Sequence, residues 1–127
     1  MKQRRTREDY LKTIYLLQKN NGYVWGVDIA EQLGVSRPTV SISLKQLEKE
    51  GYLFLDGAHE AHLTDAGKKI AEATLERYQT FKILLESLGV DSIAAAADAC
   101  LMEHAVSPES YKALRELAGR KKADGDE

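Results

Sequence analysis

The chain has 127 residues, enough for one compact domain or for a small domain with a helical extension whose apolar face needs a partner. Thirty per cent of the residues are charged, no run of 18 apolar residues occurs, and the start Met-Lys-Gln-Arg-Arg-Thr-Arg-Glu-Asp lacks the apolar centre of a signal peptide, so a cytoplasmic protein with no membrane partner is expected. A single cysteine excludes an internal disulfide and agrees with a reducing compartment.

The net charge of −2 makes no general case for nucleic acid, but its placement does. Residues 1–52 carry nine Lys or Arg against six Asp or Glu, and residues 53–127 nine against fourteen. A polyanion partner is therefore to be sought in the first half.

Tyr10, Leu11, Ile14, Tyr15 and Leu17 recur at helical intervals and predict an amphipathic helix from Thr6 to about Asn20, ended by Asn20-Asn21-Gly22. A short second helix at about Val27–Leu33 is stopped by Gly34. Ser36 is then a good N-cap and Pro38 falls in a first turn, so a third helix is predicted from Arg37 to Glu50, with Val40, Leu44 and Leu47 inward. Tyr52–Leu55 and Glu60–Leu63 read as two short strands around Asp56-Gly57. Thr64 caps a helix of about 23 residues from Asp65. A further helix is expected from Ser92 to Ala105, and Ser107-Pro108-Glu109 opens a last one ending before Gly119. The charged tail has few apolar residues and is expected to be disordered.

Two short helices joined by Gly34-Val35-Ser36 and followed by a hairpin give the element order of a winged helix–turn–helix. The third helix is the reader: Ser36, Arg37, Pro38, Thr39 and Ser41 form an N-terminal end of small or forked polar side chains that can approach phosphates and base edges closely, and Arg37 is its natural bidentate group. Lys45, with Lys2, Arg4, Arg5 and Arg7, supplies positioning charge. The wing, Asp56-Gly57-Ala58-His59-Glu60, holds no Lys or Arg and promises little phosphate affinity. His59 and His62 stand at i and i+3, on opposite faces of a strand, and read as wing surface.

The stretch Ala99-Cys100-Leu101-Met102-Glu103-His104 places a thiol, a carboxylate and an imidazole at i, i+3 and i+4 of a helix, which stacks three metal-binding groups over one patch. The plainer alternative is a small buried hydrophobe beside two solvent-facing polar groups.

With a reader helix first and this segment last, the chain resembles the diphtheria-toxin-repressor and manganese-transport-regulator family of metal-dependent transcription regulators. The resemblance spans residues 6–117. It rests on Glu8-Asp9-Tyr10-Leu11-Lys12-Thr13-Ile14-Tyr15, on Asp28-Ile29-Ala30-Glu31 with Val35-Ser36-Arg37-Pro38-Thr39-Val40-Ser41, on Leu63-Thr64-Asp65-Ala66-Gly67, and on Ala99 to Ser107. It implies a homodimer that binds palindromic operator DNA with Fe(II) or Mn(II) as corepressor, metal ligands at Asp9, Cys100, Glu103 and His104, and no C-terminal barrel-like domain. Lys12, Tyr78 and Ala96 depart from positions where the family offers ligands of a second site. The cysteine leans toward iron, unless it binds through its carbonyl oxygen.

The sequence therefore predicts a mainly α fold: a winged helix–turn–helix DNA-binding domain over residues 1–64, a helical metal-binding and dimerisation domain over 65–118, and a disordered tail over 119–127. A non-enzymatic regulator of metal-ion homeostasis genes, most simply a repressor, is expected. The rival is a winged-helix regulator that has lost metal control and answers to another ligand or to none. A redox sensor at Cys100 lacks a resolving cysteine, and a metallohydrolase lacks an evident base and pocket.

Overall fold

In a computed structural model, the backbone is described for residues 2–125 and side chains for residues 6–120. The elements are α1 (Lys2–Asn21), α2 (Gly26–Leu33), α3 (Arg37–Lys49), β1 (Leu53–Leu55), β2 (Ala61–Leu63), α4 (Asp65–Ser87), α5 (Ser92–Met102) and α6 (Pro108–Gly125). The fold is mainly helical, with one antiparallel hairpin pairing Leu53 with Leu63, Phe54 with His62 and Leu55 with Ala61. The chain divides into two compact units, Met1–Glu72 and Ala73–Glu127. Among the described residues no helix is long and apolar enough to cross a membrane.

The first unit closes around one core. Tyr10, Leu11 and Ile14 of α1, Ile29 and Ala30 of α2, and Val40, Leu44 and Leu47 of α3 meet Val24, Leu53, Ala61 and Ala71. Each fully buried aliphatic side chain contributes about 1.5–3 kcal/mol relative to exposure, and the core thereby fixes α3 as one wall of the unit. Local signals agree with this packing. Gly34 adopts φ +68° and ends α2, and the Ser36 hydroxyl accepts the Thr39 N–H at 3.2 Å at the start of α3.

Thr64 ties the hairpin to α4. Its hydroxyl donates to Gly51 O at 2.7 Å and accepts the Gly67 N–H at 3.2 Å, while its own N–H donates to Tyr52 O at 3.1 Å. The first turn of α4 passes so close to the Tyr52 carbonyl that a Cβ on Gly67 would collide with its oxygen and lie 3.0 Å from its carbon. The Leu63-Thr64-Asp65-Ala66-Gly67 stretch is thus a capped crossing of helix over backbone.

In the second unit, Phe81 and Leu84 of α4, Ala95 and Ala99 of α5 and Ala118 of α6 are buried, and Tyr111 meets Phe81 edge-on at 5.8 Å between ring centroids. Asp91 caps α5 through the Ala94 N–H at 2.8 Å, and Ser107 caps α6 through the Ser110 N–H at 3.2 Å.

Two boundaries differ from expectation. α5 stops at Met102 instead of Ala105, because the Arg77 guanidinium satisfies the carbonyls of Glu103 and Val106, at 3.0 and 2.8 Å, in place of a further helical turn. Residues 119–125, expected to be a disordered tail, continue α6. Arg120, Lys121, Lys122 and Ala123 are good helix formers, enough to carry the helix past one interior glycine at a cost of about 1 kcal/mol. The last two tail residues lie outside the described residues.

Candidate nucleic-acid interface and metal centre

Because Val40, Leu44 and Leu47 turn inward, α3 presents its other side outward. Ser36, Arg37, Pro38, Thr39, Ser41 and Lys45 are all exposed there. Ser36 and Thr39 also cap the helix, their hydroxyl oxygens 2.8 Å apart. The side chains of Lys2, Arg4 and Arg5 lie outside the described residues. Arg7, expected to touch phosphate, is engaged within the unit: it pairs with Glu50 at 3.2 Å and covers the Tyr52 ring at 5.0 Å.

Ile42 was absent from the sequence-based set. It is 71% exposed, one turn after Pro38 and one turn before Gln46 on the outward side of α3. An isoleucine where helical periodicity demands a polar residue was the available signal. Its branched side chain suits the methyl group of a thymine in the major groove, whereas phosphate has nothing to offer it. Ile42→Ala is therefore expected to weaken specific operator binding about fivefold, the equivalent of about 1 kcal/mol, and to leave binding to random duplex unchanged. Competition titrations with operator and random DNA at one salt concentration check this.

In the wing, strand alternation puts Phe54 and His62 on one face, and their rings stack at 4.9 Å. His62 Nε2 lies 2.8 Å from Asp56 Oδ2. That hydrogen bond first, and then the N–H groups of Glu60 and Ala58, hold the Asp56 carboxyl below its ordinary range. Since the folded value is the lower one, this stabilisation is present above the ordinary carboxylate range and is lost as pH falls through the lowered value. His59 sits at the tip with φ +66° and takes no part in this set.

The metal-ligand candidates are distributed over both units. Asp9 is half-buried on α1 of the first. In the second, Glu103 forms the C-cap of α5 and is fully buried, with Oε1 3.2 Å from His104 Nε2. Glu103 is the only carboxylate among the described buried residues. Burying a charged carboxylate costs several kcal/mol unless opposite charge or donors compensate it, and one set against an imidazole forms a donor pair suited to a divalent cation. Arg77 holds this corner rigid through the Glu103 and Val106 carbonyls while lying 4.8 Å over the Tyr111 ring. Sequence reading did not find Arg77, since nothing local links it to residues 26 and 29 positions later. Cys100 is exposed, and its sulfur is not among the donors that converge with Glu103 and His104. Lys12 and Tyr78 are half-buried, on α1 and α4.

A winged helix–turn–helix with an exposed reader helix, and a helical unit with a buried carboxylate–imidazole pair, define a DNA-binding protein equipped for a metal ion. The comparisons agree. Residues 4–61 match the family described as iron dependent repressor, N-terminal DNA binding domain, and residues 64–126 match the iron dependent repressor metal binding and dimerisation domain. The chain is 39% identical over 108 residues to the transcriptional regulator MntR of Escherichia coli O6:H1, covering 85% of this chain and 70% of that protein. It is 34% identical over 110 residues to an HTH-type transcriptional regulator of Methanocaldococcus jannaschii, covering 85% and 88%. Among solved structures, a manganese-dependent transcriptional repressor in complex with manganese superposes with a TM-score of 0.79 at 30% identity, over 89% of this chain and 52% of that one. The manganese regulator SloR gives 0.77 at 28%, over 89% and 53%. The chain thus spans about half the length of these solved relatives. It belongs to the iron dependent repressor family, matched both in the DNA binding domain and in the metal binding and dimerisation domain.

Proposed function

We propose that this protein is a homodimeric repressor of metal-ion homeostasis genes that grips palindromic operators when Fe(II) or Mn(II) is bound, and that it acts in the cytoplasm. The observation that carries the reading is Glu103, a fully buried carboxylate 3.2 Å from the His104 imidazole at a corner braced by Arg77. Asp9 is the proposed third side-chain ligand. Cys100 belongs to the set through its carbonyl oxygen: its sulfur stands apart, whereas its carbonyl lies in the last turn of α5. An oxygen-rich set with one imidazole suits manganese and iron better than a thiolate site would. The same pair argues against a regulator that has lost metal control.

When bound, the ion supplies two positive charges that ligands from distant parts of the sequence share, favouring one arrangement of reader helices. A shift from mostly incompetent to mostly competent needs roughly 3–5 kcal/mol of differential binding. Arg37, Ser41 and Lys45 then meet DNA, and each of two reader helices enters a major groove about 34 Å from the other. The proposed pairing surface is the apolar face of the helical unit, where Ile93 is 85%, Leu88 72% and Leu101 56% exposed.

The test is operator binding with Mn(II), with Fe(II) and with chelator. Chelation is expected to lower affinity on the order of 100-fold, within the range of allosteric couplings. Asp9→Ala combined with His104→Ala should match the chelated wild type, and Cys100→Ala should behave as wild type with metal. Equal affinity in all conditions would refute the reading.

A further inference from the structure

We propose that the outer face of the wing is a second divalent-cation site, with Asp56 Oδ2, Glu60 Oε2 and His62 Nε2 as its three protein ligands. Its role rests on the DNA-binding reading above.

One ligand atom from each of the three residues lies within 4.8 Å of the other two, and His62 Nε2 stands 2.8 Å from Asp56 Oδ2 and 3.7 Å from Glu60 Oε2. Donors at about 2.0–2.2 Å from a divalent ion stand about 3–3.5 Å apart, so the observed separations bracket what an ion requires. What distinguishes this set from scattered surface acids is how each donor is aimed. The other oxygen of Asp56, Oδ1, is taken by the N–H groups of Ala58 at 2.8 Å and Glu60 at 3.0 Å. The other oxygen of Glu60, Oε1, accepts the Val24 N–H at 3.2 Å. Both carboxylates are thereby anchored through one oxygen and turn the remaining one toward the imidazole. Phe54 stacks on that imidazole at 4.9 Å with an interplanar angle of 18°, fixing the ring plane. Backbone donors and an aromatic face thus orient the ligands from behind, the arrangement that tunes metal sites generally.

One imidazole and two carboxylates present a mixed hard and borderline donor set suited to Mn(II), Fe(II), Co(II) or Zn(II), with water completing the shell. The consequence for DNA is electrostatic. Two carboxylates with no Lys or Arg make residues 56–60 repel phosphate, and a divalent ion cancels that charge. The wing then approaches the backbone only when metal is plentiful.

The experiment uses the full-length Glu103→Gln protein, which removes a ligand of the regulatory site, labelled with 15N. Mn(II) is expected to broaden the amide signals of Gly57, Ala58 and His62 at stoichiometric concentrations. Zn(II) is expected to shift the His62 Nε2 resonance, which requires no change to the wing. His62→Ala in the same background, which leaves every backbone hydrogen bond of Asp56 and Glu60 intact, should abolish the broadening and lower affinity at least tenfold. Unbroadened wing signals, an unshifted His62 ring, or broadening that survives His62→Ala would each overturn the proposal. These readouts use no DNA, so their failure is distinguishable from failure of the repressor reading, which operator titration alone decides.

Discussion

Gly67→Ala is expected to unfold the DNA-binding unit or lower its melting temperature by about 12 °C or more. The added methyl would collide with the Tyr52 carbonyl oxygen and lie 3.3 Å from Leu63 Cδ2. Tyr52 cannot retreat, because its carbonyl accepts the Thr64 N–H at 3.1 Å and its N–H donates to Leu47 O at 3.0 Å. The first bond closes the base of the hairpin, and the second ties that base to the end of the reader helix. Overpacking into such a fixed contact costs about 3 kcal/mol or more, against a total stability of about 5–15 kcal/mol, and each kcal/mol lowers the midpoint by about 4–8 °C in a unit of this size. Ordinarily glycine to alanine in a helix gains up to about 1 kcal/mol. Gly119→Ala in α6, where a Cβ meets nothing within 4 Å, is the control and should hold or raise the midpoint. Thermal melts followed by circular dichroism check both, and equal behaviour of the two variants would show that the helix crossing at Tyr52 is not tight.

Glu103→Gln carries the second large effect, which appears only when metal is loaded. Without metal, the substitution keeps the shape of a fully buried side chain and an oxygen that can face His104 Nε2, so the melting temperature should stay level. With metal, a proposed anionic ligand is gone, and affinity should fall on the order of 100-fold or more. In the His62→Ala background, where the wing holds no ion, a ligand present at 100 times its Kd stabilises the folded state by about 2.7 kcal/mol, so that protein should gain this amount from Mn(II) or Fe(II) while its Glu103→Gln variant gains about 0.4 kcal/mol. A merely structural role for Glu103 predicts the reverse pattern, with loss in the metal-free protein and normal metal gain in whatever remains folded. Calorimetric melts at matched metal concentrations separate the two.

Much of this protein was legible in its sequence because the signals were local. Gly34 and Ser36 mark the turn through backbone chirality and capping, and the inward set Val40, Leu44 and Leu47 follows from helical period alone. Short spacings in the same way gathered Glu103 and His104 on paper before the fold placed Oε1 and Nε2 3.2 Å apart. Ile42 was passed over because an exposed isoleucine on a polar face looks like noise until the buried face is known.

Tertiary structure decided the rest, and in each case the partners lie far apart in sequence or depend on register. Arg77 ends α5 early by bonding carbonyls 26 and 29 positions away, so the helix boundary that frames Glu103 is set by a side chain from another helix. Gly67 looked like one more helical residue, and only the packed crossing shows that it touches the Tyr52 backbone. His59 and His62 were read as wing surface that diverges along a strand, and the fold adds what spacing could not show: pairing with Phe54 and the turn at Asp56 bring His62 to the Asp56 and Glu60 carboxylates. Local sequence specifies which dihedral wells and faces a segment prefers; which distant atoms then meet is settled by the burial of the shared core, and that information is spread over the whole chain.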